Sequence, residues 1–165
     1  MTHLRDITEA DFDAVVALNA REVQHTSPMD VNWLRLLVTL SSYCKVIAAE
    51  NQVVAFLIAL REGAAYENDN YRWFSERFPT FIYVDRIVVD AGFAGRGLGG
   101  QLYRDLFEFA RSQRVETVTC EYNVEPPNPA SQIFHEKFGF REVGTHWLAD
   151  ANIGSKRVSL QAAVA

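Results

Sequence analysis

Residues 88–106 read VVDAGFAGRGLGGQLYRDL, and the rest of the chain can be interpreted outward from them. Val88 and Val89 are the apolar end of a strand. Leu98, Leu102 and Leu106 recur at four-residue spacing, which predicts an amphipathic helix. The loop between strand and helix is rich in glycine: Gly95, Gly97, Gly99 and Gly100. The stretch therefore predicts a strand, a glycine-rich turn and a helix.

The glycine-rich turn is a candidate site for a pyrophosphate group. Glycine allows the backbone to turn sharply and approach a ligand, and the first helical turn offers N–H groups and a partial positive charge. A tight turn without a ligand is the alternative. Residues 95–100, GRGLGG, also match the dinucleotide fingerprint G-x-G-x-x-G, with Glu121 in the place of the ribose-binding acid. That interpretation requires repeated parallel crossovers, whereas the sequence predicts one.

Composition and charge narrow the class of protein. The chain has 165 residues, 48% hydrophobic and 22% charged, which is typical of one globular domain over residues 1–165. The net charge of −5 argues against nucleic acid or an anionic membrane as the main partner. The longest apolar run, Val53 to Leu60, is too short to span a bilayer, and the N-terminus carries no secretory signal. Cys44 and Cys120 predict neither a disulfide framework nor a metal site. We expect a cytoplasmic protein without a metal.

Hydrophobic periodicity and turn signals predict the remaining elements. Among them are strands near Tyr43 to Ala49 and Val53 to Leu60, which a tight connection at residues 50–52 joins as a hairpin, and a helix from the glycine loop to about Arg111. Their order is β-α-α-β-β-β-α-β-α-β-β, which implies an open mixed sheet with helices on both faces. One parallel βαβ unit lies at the glycine loop, with its strands near residues 81–89 and 117–124. Ligands of such sheets bind beyond the carboxyl ends of the parallel strands.

Residues 61–80 form a long insertion between two predicted strands, rich in aromatic and acidic side chains. Long loops in compact domains are often lids or binding loops. The alternative is a surface helix from about Asn70 to Phe78 that packs its aromatic side chains on the core.

Two motifs, together with the order of elements, resemble the GNAT superfamily of N-acetyltransferases. The acetyl-CoA motif of that family is R/Q-x-x-G-x-G/A after an apolar strand. Residues 94–99, AGRGLG, occupy that frame, with Ala94 in place of Arg or Gln. Residues 128–140, NPASQIFHEKFGF, resemble the family segment N-x-x-A-x-x-F-Y-E-K-x-G-F, with Ser131 in place of Ala and His135 in place of Tyr. The resemblance covers nearly the whole chain and implies a GNAT-like α/β (α+β) fold with a mixed, mostly antiparallel seven-stranded sheet.

The resemblance implies acetyl-CoA as the co-substrate. Its pyrophosphate would be held by the backbone N–H groups of a loop that consists of Ala94, Gly95, Arg96, Gly97, Leu98, Gly99 and Gly100. Its pantetheine would pair with the backbone of Ile87, Val88 and Val89, where two strands diverge. Asn128 and Ser131 would lie near the pantetheine or the pyrophosphate. Because most phosphate contacts are main-chain, we expect Ala94 to weaken the positioning of the loop and to leave binding intact.

Transfer of an acetyl group to an amine depends most on a general base. A lysine-like amine has a pKa near 10.4, so its nucleophilic form costs roughly 4.6 kcal/mol at pH 7. A base must therefore take the proton, directly or through water. Alternation places Tyr83 and Asp85 on one face of their strand, and in related enzymes a carboxylate on this strand can serve through water. Asp85 is the first candidate base, and a structural ion pair with Arg86 is its alternative.

Three further side chains are candidates for proton chemistry. Glu121 and Tyr122 come next as bases on the neighbouring strand, and alternation places one of the two in the cleft. His135 could protonate the leaving sulfur, or be a helix-surface histidine without a role. The leaving thiol has a pKa near 8.5, so a missing general acid is the lesser loss.

In this family the acceptor pocket is built from the first two helices, their connection and the loop before the glycine-bearing strand. The corresponding residues are Glu22, His25, Tyr66, Tyr71 and Trp73. Acidic and aromatic groups together would suit an ammonium group, although each of these residues could instead serve loop packing or carry solvent-facing charge. We expect the acceptor to be a primary amine of a small molecule or of an amino terminus.

The sequence leaves two other functions open. A non-catalytic module that binds acyl-CoA is favoured by the departures at Ala94 and His135, and an oxidoreductase that binds a nicotinamide dinucleotide by the glycine fingerprint. An edge strand near the C-terminus could pair with a second chain, so a homodimer is also open.

Overall fold

The computed structural model describes residues 1–22, 26–125, 127–150 and 154–165. Its strands are β1 (Thr2–Asp6), β2 (Tyr43–Ala49), β3 (Gln52–Arg61), β4 (Ile82–Val89), β5 (Thr117–Glu125), β6 (Arg141–Asp150) and β7 (Gly154–Val164). Its α-helices are α1 (Phe12–Arg21), α2 (Val31–Leu40), α3 (Asp69–Ser75), α4 (Leu98–Ser112) and α5 (Pro129–Lys137). The strands form a mixed, mostly antiparallel seven-stranded sheet in the order β1-β2-β3-β4-β5-β7-β6. The predicted fold class is confirmed.

The predicted order of elements is confirmed, and one further helix, α3, lies in the insertion between β3 and β4. The side chain of Asn68 caps it by accepting a hydrogen bond of 2.9 Å from the backbone N–H of Tyr71. Tyr71 and Phe74 are buried. The insertion thus contains the aromatic helix that stood as the alternative to a loop. A helix of about two turns is too short for periodicity to identify it in a sequence.

The chain divides into two compact units, residues 1–65 with 84–106 and residues 66–83 with 107–165. The boundary falls inside β4. The single domain expected over residues 1–165 stays a prediction.

The first unit is built on the antiparallel pairs β1–β2 and β2–β3. Glu50 and Asn51 have left-handed φ angles of 49° and 67°, which close the tight hairpin expected between β2 and β3. Residues 53–60 of β3 are all buried, as a continuous apolar run predicts for an interior strand. Helices α1 and α2 pack on β3 and contribute its fully buried neighbours: Val15, Leu18, Leu34 and Leu37.

The second unit contains the parallel pair predicted at the glycine loop. Ile82 of β4 lies opposite Val118 of β5, and Tyr83 lies opposite Thr119. On its other side β5 pairs antiparallel with β7, which pairs antiparallel with β6. Within the described ranges, no helix has both the length and the apolar character needed to cross a membrane.

Candidate active site

The segment that follows β4 is held by short polar contacts. The backbone N–H of Asp90 donates to the carbonyl of Val54 at 2.8 Å, and the Asp90 side chain accepts from the N–H of Gly92 at 2.8 Å. The Asp90 carboxylate also forms an ion pair of 3.1 Å with Arg21 at the end of α1. These contacts fix where the chain leaves the strand and enters the glycine loop.

The glycine loop combines a left-handed backbone with open space. Gly95 and Gly97 have φ angles of 78° and 77°, a region that disfavours other residues. A Cβ added at either position would meet no heavy atom of the described residues within 4 Å. The carbonyl of Gly97 accepts the first helical bond of α4, from Gln101 at 2.9 Å. The backbone therefore turns directly into the helix, and the space beside Gly95 and Gly97 is open to a ligand.

This loop fits a pyrophosphate group. The first turn of α4, residues 98–100, has N–H groups with no acceptor inside its own helix, and the helix dipole favours an anion there. Leu98 is buried and anchors the turn. The Arg96 guanidinium lies 4.6 Å from the centre of the Phe93 ring, which keeps a positive charge at the loop. Ala94 is exposed and adds no polar side chain.

A cavity of about 150 Å³ lies beside the end of β4 and is lined by Glu22, Thr26, Ile87, Val88 and Val89. It brings one predicted acceptor residue, Glu22, next to the three residues predicted to pair with pantetheine. His25, another predicted acceptor residue, lies outside the described residues.

Asp85 forms an ion pair with Arg86, the residue that follows it. The Asp85 Oδ2 atom lies 2.7 Å from the Arg86 Nε atom, and their side chains are 3% and 5% exposed. The structural ion pair that stood as the alternative for Asp85 is thus present. That Asp85 serves as the general base stays a prediction.

Tyr83 and Glu121 form a second acid–base pair, in the second unit. The Tyr83 hydroxyl donates a hydrogen bond of 2.9 Å to Oε1 of Glu121. The Tyr83 ring is fully buried, with its centroid 5.6 Å from that of Tyr71 and 5.9 Å from that of Phe74. The Tyr83 ring therefore packs against aromatic side chains of helix α3, and the Tyr83 hydroxyl orients the Glu121 carboxylate.

The insertion residues predicted to bind the acceptor pack chiefly within their own unit. Tyr66 and Tyr71 are buried, with ring centroids 5.5 Å apart. Trp73 is partly exposed and carries the Arg77 guanidinium 3.9 Å from its ring centre. The described contacts of these residues therefore match the alternative in which they serve packing. Their part in acceptor binding stays a prediction.

His135 is buried, not on the surface of α5. Its Nδ1 atom lies 2.7 Å from the carbonyl oxygen of Ser131, so Nδ1 carries the proton and donates it to that bond. Burial lowers the pKa of His135 below its ordinary value, more than the bond to Ser131 raises it. The ring lies 5.5 Å from that of Tyr122. His135 is therefore neutral at pH 7.

Successive residues of β5 serve different neighbours. Glu121 contacts Tyr83, whereas Tyr122 stacks on His135 of α5. Because neighbouring strand residues point to opposite faces, Glu121 and His135 lie on opposite faces of β5. That only one of Glu121 and Tyr122 lies in the cleft stays a prediction.

Asn128 and Ser131 lie together at the start of α5. The Asn128 side chain caps the helix by accepting a hydrogen bond of 3.3 Å from the N–H of Ser131. The expected contacts of both residues with the co-substrate stay predictions.

Sequence reasoning missed Asn19 and Ser27, which contact Arg86. The Asn19 Oδ1 and the Ser27 carbonyl lie 3.2 and 2.9 Å from Nη1 of Arg86. The one available signal was a charged residue inside the apolar run of residues 81–89, since a buried charge requires partners.

Comparisons with known proteins found similar sequences and similar folds. A model of the acetyltransferase (GNAT) family matches residues 3–140. Over 60 residues the chain is 37% identical to a phosphinothricin N-acetyltransferase of Streptomyces coelicolor. That match covers 36% of this chain and 34% of the relative, so the chain spans about a third of that protein's length.

Two solved structures have a similar fold. A ribosomal-protein-alanine N-acetyltransferase from Brucella melitensis has a TM-score of 0.71 at 23% identity, with 99% of each chain covered. Naa50 of Arabidopsis thaliana, in complex with the bisubstrate analogue CoA-Ac-MVNAL, has a TM-score of 0.75 at 15% identity, with 98% of this chain and 97% of that one covered. At these identities the likeness extends to the fold alone.

Proposed function

The chain belongs to the GNAT acetyltransferase family, and from that premise we propose that it is an N-acetyltransferase. It moves the acetyl group of acetyl-CoA to a primary amine of a small molecule or of an amino terminus. One observation carries this proposal: the open, left-handed turn at Gly95 and Gly97 leads directly into the first turn of α4. The partial match to a phosphinothricin N-acetyltransferase supports an amine acceptor.

The donor is held through the backbone. The N–H groups of residues 96–100 bind the pyrophosphate and Arg96 adds a positive charge, while residues 87–89 align the pantetheine along the end of β4. When bound, acetyl-CoA supplies an activated acetyl thioester. Because the contacts are main-chain, Ala94 in place of Arg or Gln leaves the cradle in place.

The acceptor enters the cavity beside residues 87–89. Glu22 and Thr26 line that cavity and offer a carboxylate and a hydroxyl group to a compact ammonium ion. A carboxylate attracts the charged amine, which must then lose a proton before it can attack.

Of the carboxylates that the sequence offers as a general base, we favour Glu121 as the one that takes that proton. The neutral amine nitrogen forms a bond to the acetyl carbon and releases a second proton to solvent, the bond from that carbon to sulfur breaks, and the sulfur leaves with the electron pair. Glu121 is preferred over Asp85 because Asp85 balances the buried charge of Arg86, and protonating Asp85 would leave that charge unpaired. Tyr83 holds the accepting carboxylate in one orientation.

The departing sulfur receives its proton without His135. In the tautomer set by the Ser131 carbonyl, the Nε2 atom of His135 has no proton to give. Since a thiol has a pKa near 8.5, protonation from solvent suffices. His135 instead supports Tyr122 on the opposite face of β5.

The experiment is an assay of thiol release with purified protein, acetyl-CoA and a panel of amines that includes phosphinothricin, a polyamine and an alanine-initiated peptide. Release above the amine-free rate with any of these supports the proposal. Binding of CoA without release from any amine would indicate a module that only holds acyl-CoA. Thermal protection by NAD and not by CoA would indicate a dinucleotide-binding protein and overturn the assignment.

A further inference from the structure

Arg86 is a buried cation at the centre of a polar network inside the first unit. Its Nε atom lies 2.7 Å from Asp85 Oδ2, and its Nη1 atom lies 2.9 Å from the carbonyl oxygen of Ser27 and 3.2 Å from Asn19 Oδ1. Asn19 is fully buried. The network connects β4 to the last turns of α1 and to the segment that precedes α2.

The Ser27 carbonyl is the point at which this network holds the α1–α2 connection. It accepts hydrogen bonds from both Arg86 and the Asn19 amide, each of 2.9 Å. Hydrogen bonds from a charged donor are stronger than those between neutral groups. The Ser27 carbonyl is thus held by two donors, from the buried side chains of Arg86 and Asn19.

Stability alone does not explain a buried ion pair of this kind. The cost of removing an arginine and an aspartate from water can equal or exceed their attraction, and apolar residues of similar volume are often as stable. The network does, however, determine a position. Ser27 is held at a defined distance from β4 because the planar guanidinium directs its donors along fixed directions.

The residues adjacent to this network line the cavity beside β4. Thr26 precedes Ser27, and the N–H of Glu22 donates to the carbonyl of Asn19 at 3.1 Å. The opposite wall, residues 87–89, directly follows Arg86. The residues on both walls of the cavity are therefore chain neighbours or hydrogen-bond partners of the same network, which consists of Arg86, Asp85, Asn19 and Ser27.

We propose that Arg86 is a positioning residue for the acceptor. It does not touch the amine, but through Ser27 and Asn19 it sets the distance between Glu22 and Thr26 on one wall and residues 87–89 on the other. This inference rests on the proposed function, in which the amine occupies that cavity. It assigns part of the acceptor affinity to a residue outside the cavity lining.

The test uses Arg86→Lys and Asn19→Ala in the full chain. Lysine keeps the charge beside Asp85 but cannot donate to three acceptors at fixed angles. With the best amine of the panel as the acceptor, we expect Arg86→Lys to raise the acceptor KM about tenfold, the equivalent of one strong hydrogen bond. The KM for acetyl-CoA should stay within about twofold. Asn19→Ala keeps the ion pair and should raise the acceptor KM less.

Arg35→Gln is the matched control. It removes an arginine of the same unit that lies outside the network. Arg35 forms an ion pair of 2.5 Å with Glu9, whose side chain is exposed. Neither KM should change. An Arg86→Lys enzyme with an unchanged acceptor KM, or with equal increases in both KM values, would overturn the proposal.

A second readout separates this inference from the proposed function. Amide hydrogen exchange at Thr26, Ser27 and Met29 should accelerate at least tenfold in Arg86→Lys, since their segment loses the hydrogen bond that holds the Ser27 carbonyl, and should be unchanged in Arg35→Gln. If the wild-type protein acetylates no amine while this exchange accelerates, the proposed function fails and Arg86 is shown to position the connection only. If exchange does not accelerate, the positioning role fails whatever the activity.

Discussion

The hydroxyl of Tyr83 donates a hydrogen bond of 2.9 Å to the carboxylate of Glu121, across the parallel strands β4 and β5, which precede and follow the glycine loop in the chain. Tyr83 lies opposite Thr119 in that pair, so Glu121 is two residues further along β5 and on the same face. A buried phenol thus fixes one carboxylate oxygen. The Glu121 carboxylate is the only group to which the proposed mechanism gives the amine proton.

Glu121→Gln should lower kcat by about 10²- to 10⁴-fold, the usual contribution of a general base. The amide has nearly the same shape and still accepts the Tyr83 hydrogen bond, so the fold should be retained. The measurement is thiol release at saturating acetyl-CoA across pH 6 to 9. A variant with wild-type kcat and an unchanged pH profile would place the base elsewhere, with Asp85 as the next candidate.

Tyr83→Phe tests the orientation of the same carboxylate. A hydrogen bond donated to a carboxylate favours its charged form, so its loss should move the acid limb of the kcat/KM profile to higher pH. We expect about a tenfold loss of kcat at pH 7, smaller than that of Glu121→Gln. Tyr43→Phe is the control, since that phenol also donates to a carboxylate, Asp105, within the other unit. A profile that shifts equally in both variants would contradict the assignment.

Gly97→Ala should weaken acetyl-CoA binding, whereas a glycine substitution that costs the same stability elsewhere in the unit should not. Alanine in the left-handed region costs about 1–2 kcal/mol, and its methyl group would enter the open space above the loop. Gly63→Ala is a matched control in the same unit, because Gly63 has a φ of 82° and no described heavy atom within 4 Å of its added Cβ. Both variants should lose similar thermal stability.

Calorimetric titration with acetyl-CoA distinguishes the two glycine variants. We expect the Kd of Gly97→Ala to rise at least about tenfold, the affinity carried by one charge-assisted hydrogen bond. The Kd of Gly63→Ala should remain that of the wild type. Equal Kd values would mean that the loop does not hold the co-substrate.

His135 should make the fold sensitive to mild acid. Its native pKa is lowered by burial, so as pH falls below about 6.5 the unfolded chain binds a proton before the native chain does. The stabilisation is therefore complete above pH 6.5 and is lost progressively as pH falls toward the native pKa.

Urea unfolding at pH 7.5 and 5.5 measures this effect of His135. The wild type should lose free energy of unfolding between the two values, and His135→Asn, whose amide can still donate to Ser131, should lose less. His3→Asn, at an exposed position of β1, is the control and should behave as the wild type. An equal loss in all three proteins would exclude His135 as the source.

The elements with strong local patterns were predictable from the sequence. β2 was predicted with its observed bounds, and α4 to within one residue at its end, because strands and helices of this length show their periodicity. The glycine loop was predictable because the strand before it, the spacing within it and the helix after it all agree. The hairpin at Glu50 and Asn51 was likewise encoded locally.

The contacts that organise the candidate site were not predictable, because they join residues far apart in the chain. Arg86 meets Asn19 and Ser27, 67 and 59 positions away, and no periodic signal identifies such partners. The ion pair of Asp85 with Arg86 joins neighbours in the chain, and the sequence did offer it as the alternative to a general base at Asp85. For helix α3 the sequence left two alternatives, a loop and a helix, because seven residues are too few for periodicity to decide between them.

Gly144 of β6 provides the last test, through its contact with helix α3. A Cβ at Gly144 would overlap the Cζ2 atom of the Trp73 ring, and the Arg77 guanidinium lies 3.9 Å from the centre of the same ring. The ring therefore already has a close neighbour besides Gly144. Gly144→Ala should destabilise the protein by about 1–3 kcal/mol, the cost of overpacking.

Displacement of Trp73 should also reach the proposed base. Phe74, the next residue of α3, packs 5.9 Å from Tyr83, so Gly144→Ala should reduce kcat in the same direction as Tyr83→Phe. Adding Trp73→Leu makes room for the methyl group, and the double variant should regain stability relative to Gly144→Ala alone. Val143→Thr, at an exposed neighbouring position, should change neither quantity. Strictly additive losses in the double-mutant cycle would mean that Gly144 and Trp73 do not act on each other, and that α3 reaches Tyr83 by another route.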